Sequence, residues 1–274
     1  MDVFSTPAGW RAFAAIGGLV LFLWVENRRP FRRRNDSVLP HYGLNLSLMI
    51  GNGAAVALVF GGVAVRYAAY LSSQGIGVLN FFPVSPFWNI VLTLIFYDLT
   101  TYCFHIAYHR IPVLWRLHRV HHCDRDLDVT SASRFHLGEV FLSTYLQIGL
   151  MTLLGPRTSS VLVFQAVMLS AAQFQHSNFK FPTPIDSAIR WIFVTPDMHR
   201  VHHSDLRENT NANYATIFSI WDRLFHSYHM VPQESITIGL QEYIHPEDRR
   251  LKQLLLMPFA PGCPRELDPA KKVV

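Results

Sequence analysis

Histidines recur at helical spacing in three places along this chain, and two of these groups repeat the same five letters. HRVHH stands at 118–122 and again at 199–203, and a further pair lies at His105 and His109. Residues three or four apart on an α-helix lie on one face, so each group would direct two or three imidazoles the same way. Imidazole nitrogens bind zinc, copper, iron and nickel. The pattern therefore predicts a metal site made of eight histidines: His105, His109, His118, His121, His122, His199, His202 and His203.

Two other functions could collect histidines, namely a basic surface patch and a pH-sensing cluster. Neither requires i, i+3, i+4 spacing in all three groups, so metal binding is the favoured interpretation. His176 ends a later apolar stretch and is predicted to be a further ligand, while His136 is either a ligand or a partner of one. Since a single zinc ion accepts three or four imidazoles, about ten of them predict two ions. The other histidines are predicted to lie outside the site: His41, His226, His229 and His245.

Apolar stretches predict that the chain lies in a membrane. Hydrophobic residues make up 50% of the sequence and concentrate in five stretches: 10–25, 44–70, 88–109, 140–154 and 159–174. Arginines crowd between Arg28 and Arg34, directly after the first stretch, which is typical of the cytoplasmic end of a membrane helix. Positive charge that follows the apolar stretch argues against a cleaved secretory signal. Alternate passes from that start would bring every histidine group to the cytoplasmic side.

The predicted fold is therefore all-α: an integral membrane helical bundle of about four to five membrane-embedded helices, with a cytosolic helical cap that carries the histidine-rich di-metal site. Residues 1–87 would supply N-terminal membrane helices and a loop, residues 88–230 a catalytic domain, and residues 231–274 a C-terminal surface segment. A bacterial inner membrane is the favoured location, because no retrieval or transit signal is apparent.

Several function classes have no residues to support them. The three cysteines form no CxxC pair, so neither a disulfide framework nor an iron–sulfur cluster is expected. A serine-hydrolase elbow, a phosphate loop, a dinucleotide fingerprint and a CxxCH haem motif are also absent. The net charge of +5 is concentrated in the arginine cluster, so binding to nucleic acid is not predicted.

The ligand type alone does not identify the ion. A pair of redox-active ions beside lipid suits the activation of dioxygen, which is itself apolar, so two iron ions are favoured. The competing interpretation is a non-catalytic protein with structural zinc, although such sites more often recruit cysteine. A metal carrier is less favoured, because its ionisable residues would be spread along a membrane path rather than clustered at one end.

Six short motifs occur in order between residues 90 and 228, in the segments 98–110, 114–122, 134–136, 175–178, 199–204 and 213–225. With these motifs the chain resembles the fatty acid hydroxylase/sterol desaturase superfamily. The resemblance implies a membrane di-iron enzyme that uses dioxygen and external electrons, from a separate electron-donor protein, to hydroxylate or desaturate a lipid such as a fatty acyl chain or a sterol-like lipid. It places the family's metal ligands on nine histidines and matches His136 to a tenth family histidine. The nine are His105, His109, His118, His121, His122, His176, His199, His202 and His203.

The last motif departs from the family pattern in two positions. His226 and Ser227 follow Phe225 where the family usually has Gly-Thr, and Ala215 follows Tyr214 where glycine is common. These departures leave the ligand set intact but concern the loop beside the pocket. Neither the lipid nor the choice between hydroxylation, desaturation and ether cleavage can be read from the motifs.

Acidic partners are expected for imidazoles that carry a buried cation, because a carboxylate on the second ring nitrogen orients the ligand and offsets the charge. Asp98 lies two helical turns before His105, and an acid inside an apolar helix is usually functional or paired. The run of acids at 124–128 is predicted instead to be a solvent-exposed loop. The predicted acidic partners are Asp98, Glu139, Asp197 and Asp222.

Overall fold

The computed structural model describes residues 7–260, and within that range two isolated β-bridges are the only extended pairing. The described residues form twelve α-helices joined by turns, loops and short 3-10 helices: α1 (Pro7–Arg28), α2 (Val38–Phe60), α3 (Val63–Ser73), α4 (Pro86–Arg110), α5 (Pro112–His122), α6 (Leu137–Leu154), α7 (Thr158–His176), α8 (Thr183–Ile189), α9 (Pro196–His202), α10 (Arg207–Thr210), α11 (Ile220–Leu224) and α12 (Leu251–Leu256). The predicted all-α fold is confirmed.

Three of these helices are long and apolar enough to cross a membrane, judged by length and composition: α2, α4 and α6. The other two predicted membrane helices, α1 and α7, have 22 and 19 residues and pack side by side. Gln173 of α7 donates a hydrogen bond to the Ala15 carbonyl of α1 at 2.9 Å. The molecule is a membrane helical bundle, while the count of four to five embedded helices and the domain limits at 87 and 230 stay predictions.

The apolar stretch at 44–70 is divided into two helices by a glycine pair. Gly62 has a φ of 73°, a left-handed conformation that costs glycine little because it lacks a Cβ. The chain therefore leaves α2 at Gly61 and starts α3 in a new direction. One predicted apolar stretch thus contains two helices.

Prolines set the junction between α4 and α5. The Ser85 side chain accepts a hydrogen bond from the Trp88 backbone N–H at 3.5 Å and caps α4. At the other end Ile111 precedes Pro112, which disfavours helical geometry at Ile111 and starts α5 at once. The chain turns without a loop, so the last turn of α4 faces α5, and the rings of His105 and His118 lie 5.0 Å apart.

Two of the apolar cores pack against α4, α5 and α7, which carry histidines of the centre. One lies between α3, α4, α6 and α7, where the rings of Tyr97 and Phe164 are 5.0 Å apart. The other lies behind α5, where Leu254 and Met257 are buried against Trp115. The apolar part of the predicted C-terminal surface segment therefore supports α5; residues 261–274 lie outside the described range.

Candidate metal centre

Nine histidines converge in two neighbouring groups, each with ligand nitrogens within 4.8 Å of one another. The first group has five members: His105, His109, His118, His122 and His202. The second group has four: His121, His176, His199 and His203. These are the nine histidines that the family resemblance selects. Every member of the second group is buried, whereas in the first group His105 and His109 of α4 are partly exposed.

The two HRVHH motifs each contribute to both groups. In α5, His118 and His122 are four residues apart and enter the first group, while His121 enters the second. In α9 the pattern is reversed, because the pair four apart enters the second group and His202 enters the first. Adjacent residues on a helix diverge by about 100°, so a His-His step directs its two imidazoles to different ions. The repeat thus builds two sites rather than one.

The ligand atoms within each group lie close enough together to share a metal ion. Neighbouring Nε2 atoms lie 3.0–3.1 Å apart in five pairs: His105 with His118, His202 with His105, His176 with His121, His199 with His176, and His203 with His199. Nitrogens that share one metal ion at about 2.1 Å lie about 3.0–3.4 Å apart. These pairs are therefore close enough to hold an ion between them.

In three imidazoles the Nδ1 atom is hydrogen-bonded to a backbone carbonyl, which leaves the Nε2 atom to bind a metal. Carbonyl oxygens of Tyr214, Ala212 and Ala172 lie 2.6–2.7 Å from Nδ1 of His105, His202 and His176 respectively. A carbonyl only accepts, so these Nδ1 atoms carry the proton and the Nε2 atoms present lone pairs. In the His105–His202 contact two lone pairs face each other at 3.0 Å. Such a contact is repulsive without a cation, so the residues fit a bound metal.

The histidines of α5 and α9 are buried, and burial favours their neutral form. Desolvation, followed by the proximity of other imidazoles, lowers the pKa of His121, His122, His199 and His203 well below the ordinary value. Burial also lowers the pKa of His202 to about 3. These imidazoles are neutral at physiological pH, which is the state that binds a metal.

Glu139 is the one predicted acid that contacts an imidazole. Its Oε1 lies 2.7 Å from Nδ1 of His118, and its Oε2 is buried without a hydrogen-bond partner in the described chain. A carboxylate in this position strengthens the ligand and offsets part of the cation's charge.

Replacing Glu139 with glutamine is expected to weaken metal binding by about tenfold to a hundredfold, because the amide keeps an acceptor for His118 but removes the negative charge. The rate of metal loss to a chelator measures this effect. Glu247→Gln, an exposed position, is the matched control. Equal rates in the two variants would contradict the role of Glu139.

The acids Asp98 and Asp222 act on the loop that supplies the carbonyls. Asp98 accepts hydrogen bonds from the N–H groups of Ile217 and Phe218 at 3.0 Å and from the Trp221 indole at 2.7 Å. Asp222 accepts from the Tyr214 N–H at 2.8 Å and the Ala215 N–H at 3.0 Å. Neither touches an imidazole. They hold the 212–218 segment, whose carbonyls orient two ligands.

Asp197 and His136 are also placed apart from the imidazole groups. Asp197 forms an ion pair with Arg200. His136 caps α6, with Nδ1 accepting from the Gly138 N–H at 3.0 Å and Nε2 lying 3.2 Å from the Leu255 carbonyl. Both nitrogens of His136 are thus engaged outside the two groups.

The predicted solvent-exposed loop at 124–128 is wrong, because Asp124, Asp126 and Asp128 are all buried. His41 lies between two of them, 2.9 Å from Asp124 and 3.1 Å from Asp128. Burial alone would raise the pKa of Asp124, but His41 and Arg134 hold it well below the usual range. This network joins α2 to the end of α5. The sequence carried a signal for it, since His41 and Asn45 are one turn apart in an apolar helix and need polar partners.

His226, which stands where the family usually has glycine, adopts a left-handed backbone conformation. His226 has a φ of 58° and is exposed, and this left-handed conformation costs a residue with a Cβ about 1–2 kcal/mol. We expect His226→Gly to raise the free energy of unfolding by about 1 kcal/mol, measured by thermal unfolding in detergent. Asn213→Gly is the control, and it should lower the free energy of unfolding. Asn213 has a φ of 54°, but its side chain bonds to the backbone of Met198 and His229, so its loss should destabilise.

A cavity of about 370 Å³ extends from the histidines between α4, α6 and α7. His105, His118, His121, His176 and His199 line one end, and the remaining wall is mainly apolar. Its side chains include Phe104, Tyr108, Val140, Phe164, Met168 and Leu169. An alkyl chain would fit this cavity with one of its carbons beside the imidazole groups.

Comparison with known proteins agrees with this geometry. The profile of the fatty acid hydroxylase family matches residues 90–227. The chain is 34% identical to an ornithine lipid hydroxylase of Rhizobium tropici, over 56% of this chain and 46% of that protein. It is 28% identical to an alkylglycerol monooxygenase of Xenopus tropicalis, over 58% and 34% of the two chains. It is 25% identical to the human cholesterol 25-hydroxylase, over 50% and 49%.

The matched region spans about a third to a half of the length of these curated relatives. No solved structure matches the chain.

Proposed function

Because the chain belongs to the fatty acid hydroxylase family, we propose that it is a membrane di-iron oxygenase that hydroxylates a C–H bond of a lipid. In this reaction one oxygen atom of dioxygen enters the lipid and the other leaves as water, with two electrons from a separate electron-donor protein and two protons from solvent. The observation that carries the proposal is the position of two imidazole groups at the end of an apolar cavity. The names of the relatives, all lipid hydroxylases or monooxygenases, support it.

Two iron ions are favoured over zinc because the activation of dioxygen requires a redox-active ion. Structural zinc sites more often recruit cysteine, whereas both groups here consist of histidines alone. When bound, the irons would supply the activation of dioxygen needed to attack an unactivated C–H bond.

The protein's own residues orient the ligands and the lipid. The carbonyls of Tyr214 and Ala212 hold His105 and His202 with their Nε2 atoms inward. Glu139 keeps the proton of His118 on Nδ1 and supplies a negative charge beside the site. The apolar wall of the cavity excludes water and aligns the alkyl chain, so the choice of oxidised carbon depends on how deep the chain reaches.

We also place the metal centre on the cytosolic side, in a bacterial inner membrane. The arginines that follow α1 support the cytosolic side. The similarity to an ornithine lipid hydroxylase of Rhizobium tropici, a bacterium, supports a bacterial membrane. A fatty acyl chain and a sterol-like lipid both remain candidate substrates, and desaturation is the alternative reaction.

The test combines product and metal analysis. Lipid extracts of cells with and without the gene are compared by mass spectrometry, and metal is measured in the purified protein. We expect a lipid that gains one oxygen atom and about two irons per chain. A lipid that loses two hydrogen atoms would assign desaturation instead. Zinc alone, with no changed lipid, would contradict the oxygenase.

A further inference from the structure

A second cavity, of about 220 Å³, lies outside the metal centre and has five arginines in its wall. Three come from the segment that joins α1 to α2, one from the loop after α5, and one from α9; they are Arg32, Arg33, Arg34, Arg125 and Arg200. Asp126 is the single acid in the lining. We call this cavity the arginine pocket.

Three of the five arginines have no acidic partner. Arg34 pairs with Glu26 at 3.3 Å, and Arg200 pairs with Asp197. In the described part of the chain, Arg32, Arg33 and Arg125 have no carboxylate within the 4.0 Å of an ion pair. Such charges, gathered around one cavity, repel one another unless an anion binds there.

Asp126 offsets only one of these positive charges. Its two carboxylate oxygens accept hydrogen bonds from the backbone N–H groups of Asn35 at 2.7 Å and Asp36 at 2.6 Å. Arg32 bonds to the carbonyls of Ile236 and Gln233, and its Nε is buried without a hydrogen-bond partner. Arg33 is exposed and free to turn toward an occupant. The pocket therefore keeps a positive charge and unused N–H donors.

The position of the pocket in the chain indicates the kind of anion. Arg32 to Arg34 lie between the end of α1 at Arg28 and the start of α2 at Val38, and α2 is long and apolar enough to cross a membrane. Residues directly outside a membrane helix lie at the level of the lipid head groups. Basic pockets at this level suit the phosphates of anionic lipids.

We propose that the arginine pocket binds the phosphate of an anionic phospholipid head group. Guanidinium groups bind phosphate through paired N–H donors and stay charged at every physiological pH. A lipid bound there would connect three separate parts of the chain, namely the α1–α2 segment, the loop after α5, and α9. Since α9 carries ligands of both histidine groups, the lipid would also stabilise the metal centre from outside.

The test measures thermal stabilisation of the full-length, metal-loaded protein in a neutral detergent. The probes are short-chain phosphatidylglycerol, short-chain phosphatidylcholine and inorganic phosphate, each titrated to saturation. We expect phosphatidylglycerol to raise the unfolding temperature in a saturable way and the other two to have little effect. Stabilisation by inorganic phosphate as strong as that by phosphatidylglycerol would overturn the lipid assignment.

The double variant Arg33→Gln, Arg125→Gln tests the pocket itself. Arg33 is exposed and Arg125 donates only to the Ile244 carbonyl, so the fold should persist. A basic residue near an anionic surface contributes about fivefold in affinity, and losing two should weaken the phosphatidylglycerol effect about thirtyfold. The matched control, Arg29→Gln, Arg66→Gln, removes the same charge from exposed positions outside the pocket. An equal loss in both variants, or no loss in the pocket variant, would overturn the proposal.

Discussion

Replacing His202 with alanine is expected to abolish lipid hydroxylation and to lower the iron bound per chain. His202 belongs to the first histidine group, although its HRVHH neighbours His199 and His203 belong to the second. Its loss removes a nitrogen that lies 3.0 Å from the His105 nitrogen, and the lone pair of His105 then faces an incomplete site. Activity should fall by more than the roughly hundredfold effect typical of residues that only support a ligand. Product formation and iron content, measured on the same preparations, check this.

His121→Ala should have the same effect on the second group, which falls from four nitrogens to three. His136 supplies the matched control, because it matches a family histidine in sequence yet caps α6 with its ring. His136→Asn keeps a capping side chain and should retain both irons. Loss of iron in His136→Asn, or full activity in His121→Ala or His202→Ala, would contradict the division of histidines that we describe.

The histidines of the centre could be predicted from sequence because each motif is local. Spacing of three and four residues places imidazoles together on any helix, whatever the rest of the chain does. Their division into two groups could not be predicted in the same way. It depends on α5 packing against α9, which is remote in sequence, so that His121 meets His203 while His122 meets His202, with ring centres 4.6 and 4.7 Å apart.

The partners of the imidazoles were predicted less well, for a physical reason. Acids are visible in a sequence, and Glu139, one of the predicted acids, lies beside His118 in the structure. Three other ligands use backbone carbonyls, which every residue has and no motif marks. The buried acids at Asp124 and Asp128 were missed because a local run of charge indicates solvent, whereas their partner His41 lies in a different helix.

Asp98→Asn is expected to lower the free energy of unfolding by about 3 kcal/mol and to reduce iron content. The carboxylate is fully buried and accepts three hydrogen bonds. An asparagine amide has one accepting oxygen, and its NH₂ group would face N–H donors. Each buried donor left without a partner costs about 1–3 kcal/mol. The weakened segment is the one whose Tyr214 carbonyl orients His105, so the damage should reach the metal.

Thermal unfolding and iron content, measured together, distinguish this positioning role from a purely structural one. A change in stability alone would leave iron at two per chain once the protein is folded, whereas a positioning residue lowers iron in the folded fraction as well. Glu208→Gln, an exposed carboxylate-to-amide change in α10, is the matched control and should alter neither. The contrary result would be an Asp98→Asn protein with the unfolding temperature and the iron content of the unsubstituted protein. In that case Asp222 alone would hold the 212–218 segment, and the loop rather than α4 would set the orientation of His105.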